Sequence, residues 1–293
     1  MATSKTLQDY DVGRVLGEGA YGHVLFAVRK DNNQEVAIKV VTKNNLIHAK
    51  KTQSPINEKE ALARSSHPNI VSLITTHQDS LCLYFVFEYV QNGLFSQFLK
   101  NELKIDTIRH MFGQILLGMA HFHKNGIIHR DLKPENIMVD MENRIKIIDF
   151  GSVKLFDAEK IRKNENYNEG FERGSFVGSV DYISPEILAD LPTTPAVDLW
   201  AFGCMLFFAF EKRAPFYADT KFQTYQNIEN GTFSFTDGQN PDDAVDLIQK
   251  LLVNDYTKRI GFGEWENDYP SIKNHPFFSG LDWEKLPNLP PPM

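Results

Sequence analysis

The segment IIHRDLKPENIMVD at 127–140 places His129, Arg130, Asp131, Lys133, Glu135 and Asn136 between an apolar pair and an apolar alternation. A solvated turn would account for that density of charge, and so would a set of reactive groups held on rigid flanks. Upstream, VLGEGAYGHV holds Gly17, Gly19 and Gly22 as G-x-G-x-x-G. A dinucleotide-binding loop needs a helix after the last glycine, whereas HVLFAV reads as a strand. A Walker loop needs Lys and then Ser or Thr where His23 and Val24 stand. What remains is a glycine hairpin, either a plain turn or one whose amides approach phosphate oxygens with no Cβ in the way. Lys39 lies in the apolar strand VAIKV. It is either an outward-facing lysine or one end of a pair, since a buried ammonium is costly alone. Glu58, in the helical stretch NEKEAL, is a candidate partner, or else a solvated helix carboxylate. The glycine loop, the lysine and the carboxylate come in the order a phosphate-gripping site needs: the lysine reaches the phosphates and the carboxylate aims the lysine.

The elements that must position these groups follow from hydrophobic periodicity. Residues 10–41 read as an antiparallel meander with an Asn-Asn turn, residues 55–66 as a helix opened by Pro55, and 70–78 and 81–90 as two more strands. After Gly93 the pattern becomes helical, over 94–100, 107–125, 195–210, 220–230 and 242–252. The expected fold is therefore α+β in two lobes. A five-stranded N-lobe sheet with one main helix spans 1–87, a hinge 88–93, a mostly helical C-lobe 94–279 and an extension 280–293. The polar stretch 156–175 reads as a mobile functional loop, and the closing LPPPM as extended or disordered.

Composition excludes several classes. A formal charge of −7 argues against broad binding to nucleic acid, which needs a basic face. Two distant cysteines, Cys82 and Cys204, do not make a disulfide framework and fit a reducing, cytoplasmic setting. The start MATSKTLQDY lacks the apolar region of a signal peptide, and the most apolar run, CMLFFAF, is too short to span a bilayer.

HRDLKPEN between apolar flanks, followed by IKIIDFG with Asp149, resembles the signature set of protein kinases. Matching motifs run in register from Gly17 to Arg259. The resemblance implies a bilobal kinase fold and transfer of the γ-phosphoryl group of Mg-ATP to protein hydroxyls. By position, Asp131 would accept the substrate hydroxyl's proton, and Lys133 would neutralise charge on the moving phosphoryl group. Lys39 and Glu58 would grip the phosphates. Asn136 and Asp149 would ligate Mg2+. Leu16, Gly17, Gly19, Gly22, Val24, Ala37, Phe87 (as gatekeeper), Glu88, Val90 and Glu135 complete the implied ATP site. Lys133 in RDLKPEN is the form similar to serine/threonine kinases. His129 would support the loop, Arg130 would hold an activation-loop phosphate, Glu186 would pair with Arg259, and Asp198 would anchor the catalytic loop.

The 19-residue separation of Lys39 and Glu58, and KNHPFFSGLDW at 273–283, resemble the AGC group. SFVGSVDYISPE at 175–186 is similar to the activation segment of phosphoinositide-dependent protein kinases, which phosphorylate activation loops of other AGC kinases. That likeness implies a phosphosite at Ser175, clamped by Arg130 and Arg173. It also implies a small-lobe pocket at Lys43, Leu46, Ile47, Lys59, Thr76, Gln78 and Leu83 for the hydrophobic motif of a protein substrate, in place of a generic surface. The lack of a Phe-x-x-Phe near the end suits a kinase that borrows the motif. Departures exist. Leu94 and Phe208 occupy positions that are acidic in arginine-directed AGC kinases, leaving Glu135. Ser179 replaces a threonine, and the segment Asp149–Glu186 is long. The chain has no room for a pleckstrin-homology domain, so plasma-membrane recruitment would need a longer form. Two alternatives stay open: an AGC or calmodulin-dependent-like kinase with other substrates, and a pseudokinase scaffold. The joint presence of Lys39, Glu58, Asp131, Asn136 and Asp149 weakens the second.

Overall fold

The computed structural model describes residues 7–19, 21–162, 171 and 180–292. β-branched residues in alternation build the N-lobe: β1 (Tyr10–Gly19), β2 (Gly22–Arg29), β3 (Glu35–Thr42), β4 (Leu73–Gln78) and β5 (Cys82–Glu88). They form one antiparallel sheet in the order β1-β2-β3-β5-β4. The turn between β2 and β3 closes with the Arg29 amide donating to the Gln34 carbonyl. Asn33 there takes a positive φ of 57°, which asparagine tolerates.

Alternation then decides which face each residue serves. Tyr10, Ala27, Val36, Ile38, Val40, Tyr84 and Val86 pack together on one face. Lys39 lies opposite Phe85 in the ladder, with Val41 opposite Leu83 and Ala37 opposite Phe87, and these point to the other face. Against that face lie α1 (Lys43–His48) and α2 (Ser54–Arg64). The buried residues of α2 include Glu58, Ala61 and Leu62, a stripe at helical spacing that delivers one carboxylate inward. The helix α1 is additional to the single helix expected; six residues are too few for periodicity to reveal.

The C-lobe comprises α3 (Phe95–Phe98), α4 (Ile105–Lys124), the short strands β6 (Ile127–Ile128), β7 (Ile137–Val139), β8 (Ile145–Ile147) and β9 (Lys154–Leu155), then α5 (Ala158–Arg162), α6 (Pro185–Leu188), α7 (Ala196–Glu211), α8 (Lys221–Asn230), α9 (Asp242–Leu251) and α10 (Pro270–Lys273). α7 is apolar on all sides and buried along nearly its whole length, as a central helix must be. One continuous core joins Ala61 and Leu62 of α2 to α4, α7, α9 and Phe277–Phe278. Among the described residues, no helix is long and apolar enough to cross a membrane.

One expectation is corrected and another is made specific. The stretch after residue 156 is not wholly without secondary structure: α5 forms there, and Phe156, Ile161 and Phe171 are buried, with Phe156 against both Phe171 and Trp265. Its remainder, 163–170 and 172–179, lies outside the described residues. The closing segment, expected to be extended or disordered, is extended at Leu289 and held along α4. Gln114 donates to the Leu286 and Leu289 carbonyls at 2.9 and 2.8 Å, and His110 donates to Leu289 at 2.9 Å. Thr107 donates to the Pro292 carbonyl, and Leu286 is buried. Polar side chains on the buried face of a helix found their partners in the backbone of that segment.

Candidate active site

Two miniature ribbons bring the chemistry together. β6 pairs with β9, and β7 with β8. The loop 129–136 therefore leaves one ribbon and enters the other, while Asp149 follows β8 and precedes β9 on the same side. Phe150 is buried in the core, and its turn packs against α2.

Asp198 of α7, fully buried, holds the start of the loop. Its Oδ2 accepts the His129 amide and its Oδ1 the Arg130 amide, each at 2.8 Å. Arg130 has a left-handed φ of 67° there, as has Asp149 at 58°. Non-glycine residues hold such conformations only where their surroundings over-determine them. His129 donates from Nε2 to the Ile148 carbonyl at 3.1 Å and packs edge-on against Phe150. The charge run is thus a buttressed loop and not a solvated turn.

Within the loop, the Lys133 ammonium lies 3.1 and 3.0 Å from the two Asp131 oxygens. The Asn136 amide nitrogen donates to the Asp131 carbonyl at 2.8 Å and its Oδ2 at 2.9 Å, which turns Asn136 Oδ1 away. Asp131 is fixed from two directions. Facing this group, Lys39 Nζ donates to Glu58 Oε1 at 2.7 Å and to Asp149 Oδ1 at 2.9 Å. Burial disfavours the Lys39 ammonium, but the two carboxylates outweigh it and hold its pKa above the ordinary value. The Lys39 charge, against the effect of burial, holds the Asp149 carboxyl down at about 2. Burial pushes Glu58 upward against the pull of Lys39.

The implied nucleotide residues share one surface. Leu16, Gly17 and Gly19 lie on β1, Gly22 and Val24 on β2, Ala37 on β3, and Phe87 and Glu88 end β5, just before Val90. Gly17 pairs with Val24 and Val24 with Lys39, which carries the glycine hairpin over the lysine. At Gly22 a Cβ would stand 1.8 Å from the Val40 carbonyl oxygen, so only glycine fits. Glu135 is exposed beside the loop. The Glu88 carboxylate does not serve the cleft: it accepts the Ser72 amide at 2.8 Å and Lys146 at 2.9 Å. The Glu88 amide in turn donates to the Ser72 carbonyl at 3.0 Å.

A protein kinase domain model matches residues 10–278. The chain belongs to the protein kinase family. Among curated proteins it is 37% identical to serine/threonine-protein kinase PKH2 of Saccharomyces cerevisiae, covering 97% of this chain and 26% of that protein. It is 35% identical to human 3-phosphoinositide-dependent protein kinase 1, over 98% of this chain and 50% of that one. It is also 35% identical to the human putative 3-phosphoinositide-dependent protein kinase 2, over 98% and 71%. The chain thus spans half or less of two of these relatives. It is a kinase domain of the phosphoinositide-dependent type.

Below the active centre of this kinase domain, Arg259 and Glu186 form a bidentate pair at 2.7 and 3.0 Å with both side chains wholly buried. Arg259 also donates to the Ala196 and Val253 carbonyls and lies over the Trp200 ring. All five of its N–H groups are thereby used.

The structure brings together most of the small-lobe pocket residues. Thr76 pairs with Phe85 and Gln78 with Leu83, on the same sheet face as Leu46 of α1. Lys43 donates to Gln78 at 3.2 Å, Leu46 is buried beside Val41 and Phe85, and Ile47 is exposed. Lys59 is exposed on α2, next to Glu58. The Arg130 guanidinium donates to the Ser152 carbonyl at 2.6 Å and to that of Val153 at 3.3 Å. Ser175, Arg173 and Ser179 lie outside the described residues. Two contributors escaped the sequence reading. Gly151 keeps its Cα surface open where a Cβ would be 3.4 Å from Lys39 Nζ, and His123 bonds Asp198 at 2.8 Å. The glycine stood in plain view beside Asp149 and Phe150; the histidine, inside an apolar helix, carried no signal.

Proposed function

We propose that this kinase transfers the γ-phosphoryl group of Mg-ATP to serine and threonine hydroxyls of proteins, in particular the activation loops of other AGC kinases. The observation that carries it is the convergence of two groups: Asp131 with Lys133 and Asn136, facing Lys39 with Glu58 and Asp149. Their donor chemistry fits Mg2+, a hard cation that takes one or two carboxylates plus phosphate oxygens. Asp149 stays ionised, and Asn136 Oδ1 is turned away from Asp131. Mg2+ there would neutralise phosphate charge. Lys39 holds the phosphates, aimed by Glu58. Asp131 accepts the proton of the substrate hydroxyl as its oxygen bonds to the γ-phosphorus and the bond to the β–γ bridging oxygen breaks. Lys133, within reach of Asp131, stabilises the charge on the moving group.

Substrate choice by docking is supported by the placement of Leu83, Thr76 and Gln78 on one sheet face beside Leu46 and Lys43 of α1. A hydrophobic motif seated there would steady α2 and with it Glu58. Phosphate on Ser175 would draw on Arg130. The test supplies Mg-ATP with two peptides: an AGC activation-loop sequence, and the same sequence joined to a hydrophobic motif carrying a phosphate mimic. Transfer to both, at least tenfold faster to the joined peptide and with that gain lost in Leu83→Glu, is expected. Equal rates would remove docking and leave the kinase. No transfer with nucleotide still bound would make the chain a scaffold.

A further inference from the structure

Tyr269 is fully buried yet has a left-handed backbone, φ 57°, and its neighbour Asp268 does too, at 59°. Two successive non-glycine residues in that region persist only where packing or bonding compensates them. What the turn achieves is an aim. The Tyr269 hydroxyl lies 2.6 Å from Nδ1 of His123, 146 residues earlier in the chain, with the rings edge to face at 5.8 Å. His123 is likewise fully buried, and its Nε2 lies 2.8 Å from Asp198 Oδ2. That same carboxylate receives the His129 and Arg130 amides.

The polarity of the chain of bonds follows from its acceptor end. A carboxylate only accepts, so Nε2 of His123 carries its proton. Burial, against the pull of Asp198, lowers the imidazole pKa and keeps the ring neutral. Nδ1 is then an acceptor, and the phenol must donate to it. We propose that Tyr269 is a positioning residue for phosphoryl transfer. Its hydroxyl fixes the orientation of His123 through Nδ1, and His123 fixes Asp198, which sets the backbone from which Asp131 projects. A tyrosine serving only to fill space would be replaceable by phenylalanine; one serving this relay would not.

Tyr269→Phe keeps the ring and removes the donor. In the full chain the expected result is a fall in kcat of about fivefold, on the scale of one hydrogen bond, with KM for ATP unchanged. The nitrogen-15 spectrum should show the His123 Nδ1 signal shift as that acceptor loses its donor, with Nε2 still protonated against Asp198. In a His123→Leu background the same substitution should lower kcat no further, because the link it acts through is gone. An unchanged kcat and unchanged His123 Nδ1 signal in Tyr269→Phe, with only a lower melting temperature, would overturn the proposal. So would an undiminished kcat effect in the His123→Leu background. If His123→Leu does not fold, the kcat and the His123 Nδ1 signal of Tyr269→Phe decide alone.

Discussion

Two ion pairs sit in opposite settings. Arg259 and Glu186 are wholly enclosed in the C-lobe, with every guanidinium proton assigned a partner. Lys39 and Glu58 join a strand to a helix. Glu58 there is 4% exposed, Lys39 25%, and the third member, Asp149, 46%. The enclosed pair, with Arg259 also bonded to the Ala196 and Val253 carbonyls, locks the platform beneath the catalytic loop. The open cluster depends on α2 staying where it is, and Lys39 divides itself between two carboxylates that a nucleotide would rearrange. One pair serves rigidity, and the proposed function gives the other a part in the chemistry.

Substitutions in the two pairs should therefore fail differently. Lys39→Met should lower kcat/KM by about a thousandfold while chemical denaturation changes little. A large loss of stability would show that the open cluster holds the fold. Glu186→Gln should do the reverse. Leaving a buried guanidinium without its counter-charge costs about 3–5 kcal/mol, read as a lowered denaturation midpoint, with residual activity in whatever remains folded. Activity lost at full stability would place Glu186 in the chemistry.

Acid sharpens the contrast. Burial, reinforced by His121 and Lys146, holds His67 down at about 4 from an ordinary 6.5. His110, His121 and His123 are lowered too, chiefly by burial. The unfolded chain then binds more protons than the folded one below pH 6.5. Stability should be complete above that value and decline as pH falls toward about 4, by at most ~3 kcal/mol for His67. Asp149, held at about 2, should remain ionised across that window. Magnesium affinity at fixed nucleotide should stay flat until the fold gives way. Flat stability and falling magnesium affinity would reverse the assignment. The smallest effect expected is on stability in Glu58→Gln, within about 1 kcal/mol, because burial already disfavours that carboxylate; its kcat should nonetheless drop about tenfold.

The sequence showed these two settings unequally. Strand alternation and helical spacing located the sheet, the two lobes and α2, and the motif residues converge where their order implied. Lys39 facing Glu58 is one of the two readings that an ammonium in an apolar strand leaves open. What escaped depended on distant partners. α1 is shorter than two turns, the closing segment is ordered by Gln114 and His110 from α4, and the His123 and Tyr269 contacts join residues far apart in the chain. Local periodicity carries no information about such pairings. The Glu88 carboxylate likewise turned out to be committed to Ser72 and Lys146.

The most direct measurement is a single turnover. Enzyme in excess is mixed with Mg-ATP labelled in the γ-phosphoryl group and a peptide containing one serine, for the wild-type chain and for Asp131→Asn. The account predicts label on the serine in the wild type and a rate about a thousandfold lower in Asp131→Asn, with nucleotide affinity equal in both. No label in the wild type despite bound nucleotide, or equal rates in the two proteins, would contradict it.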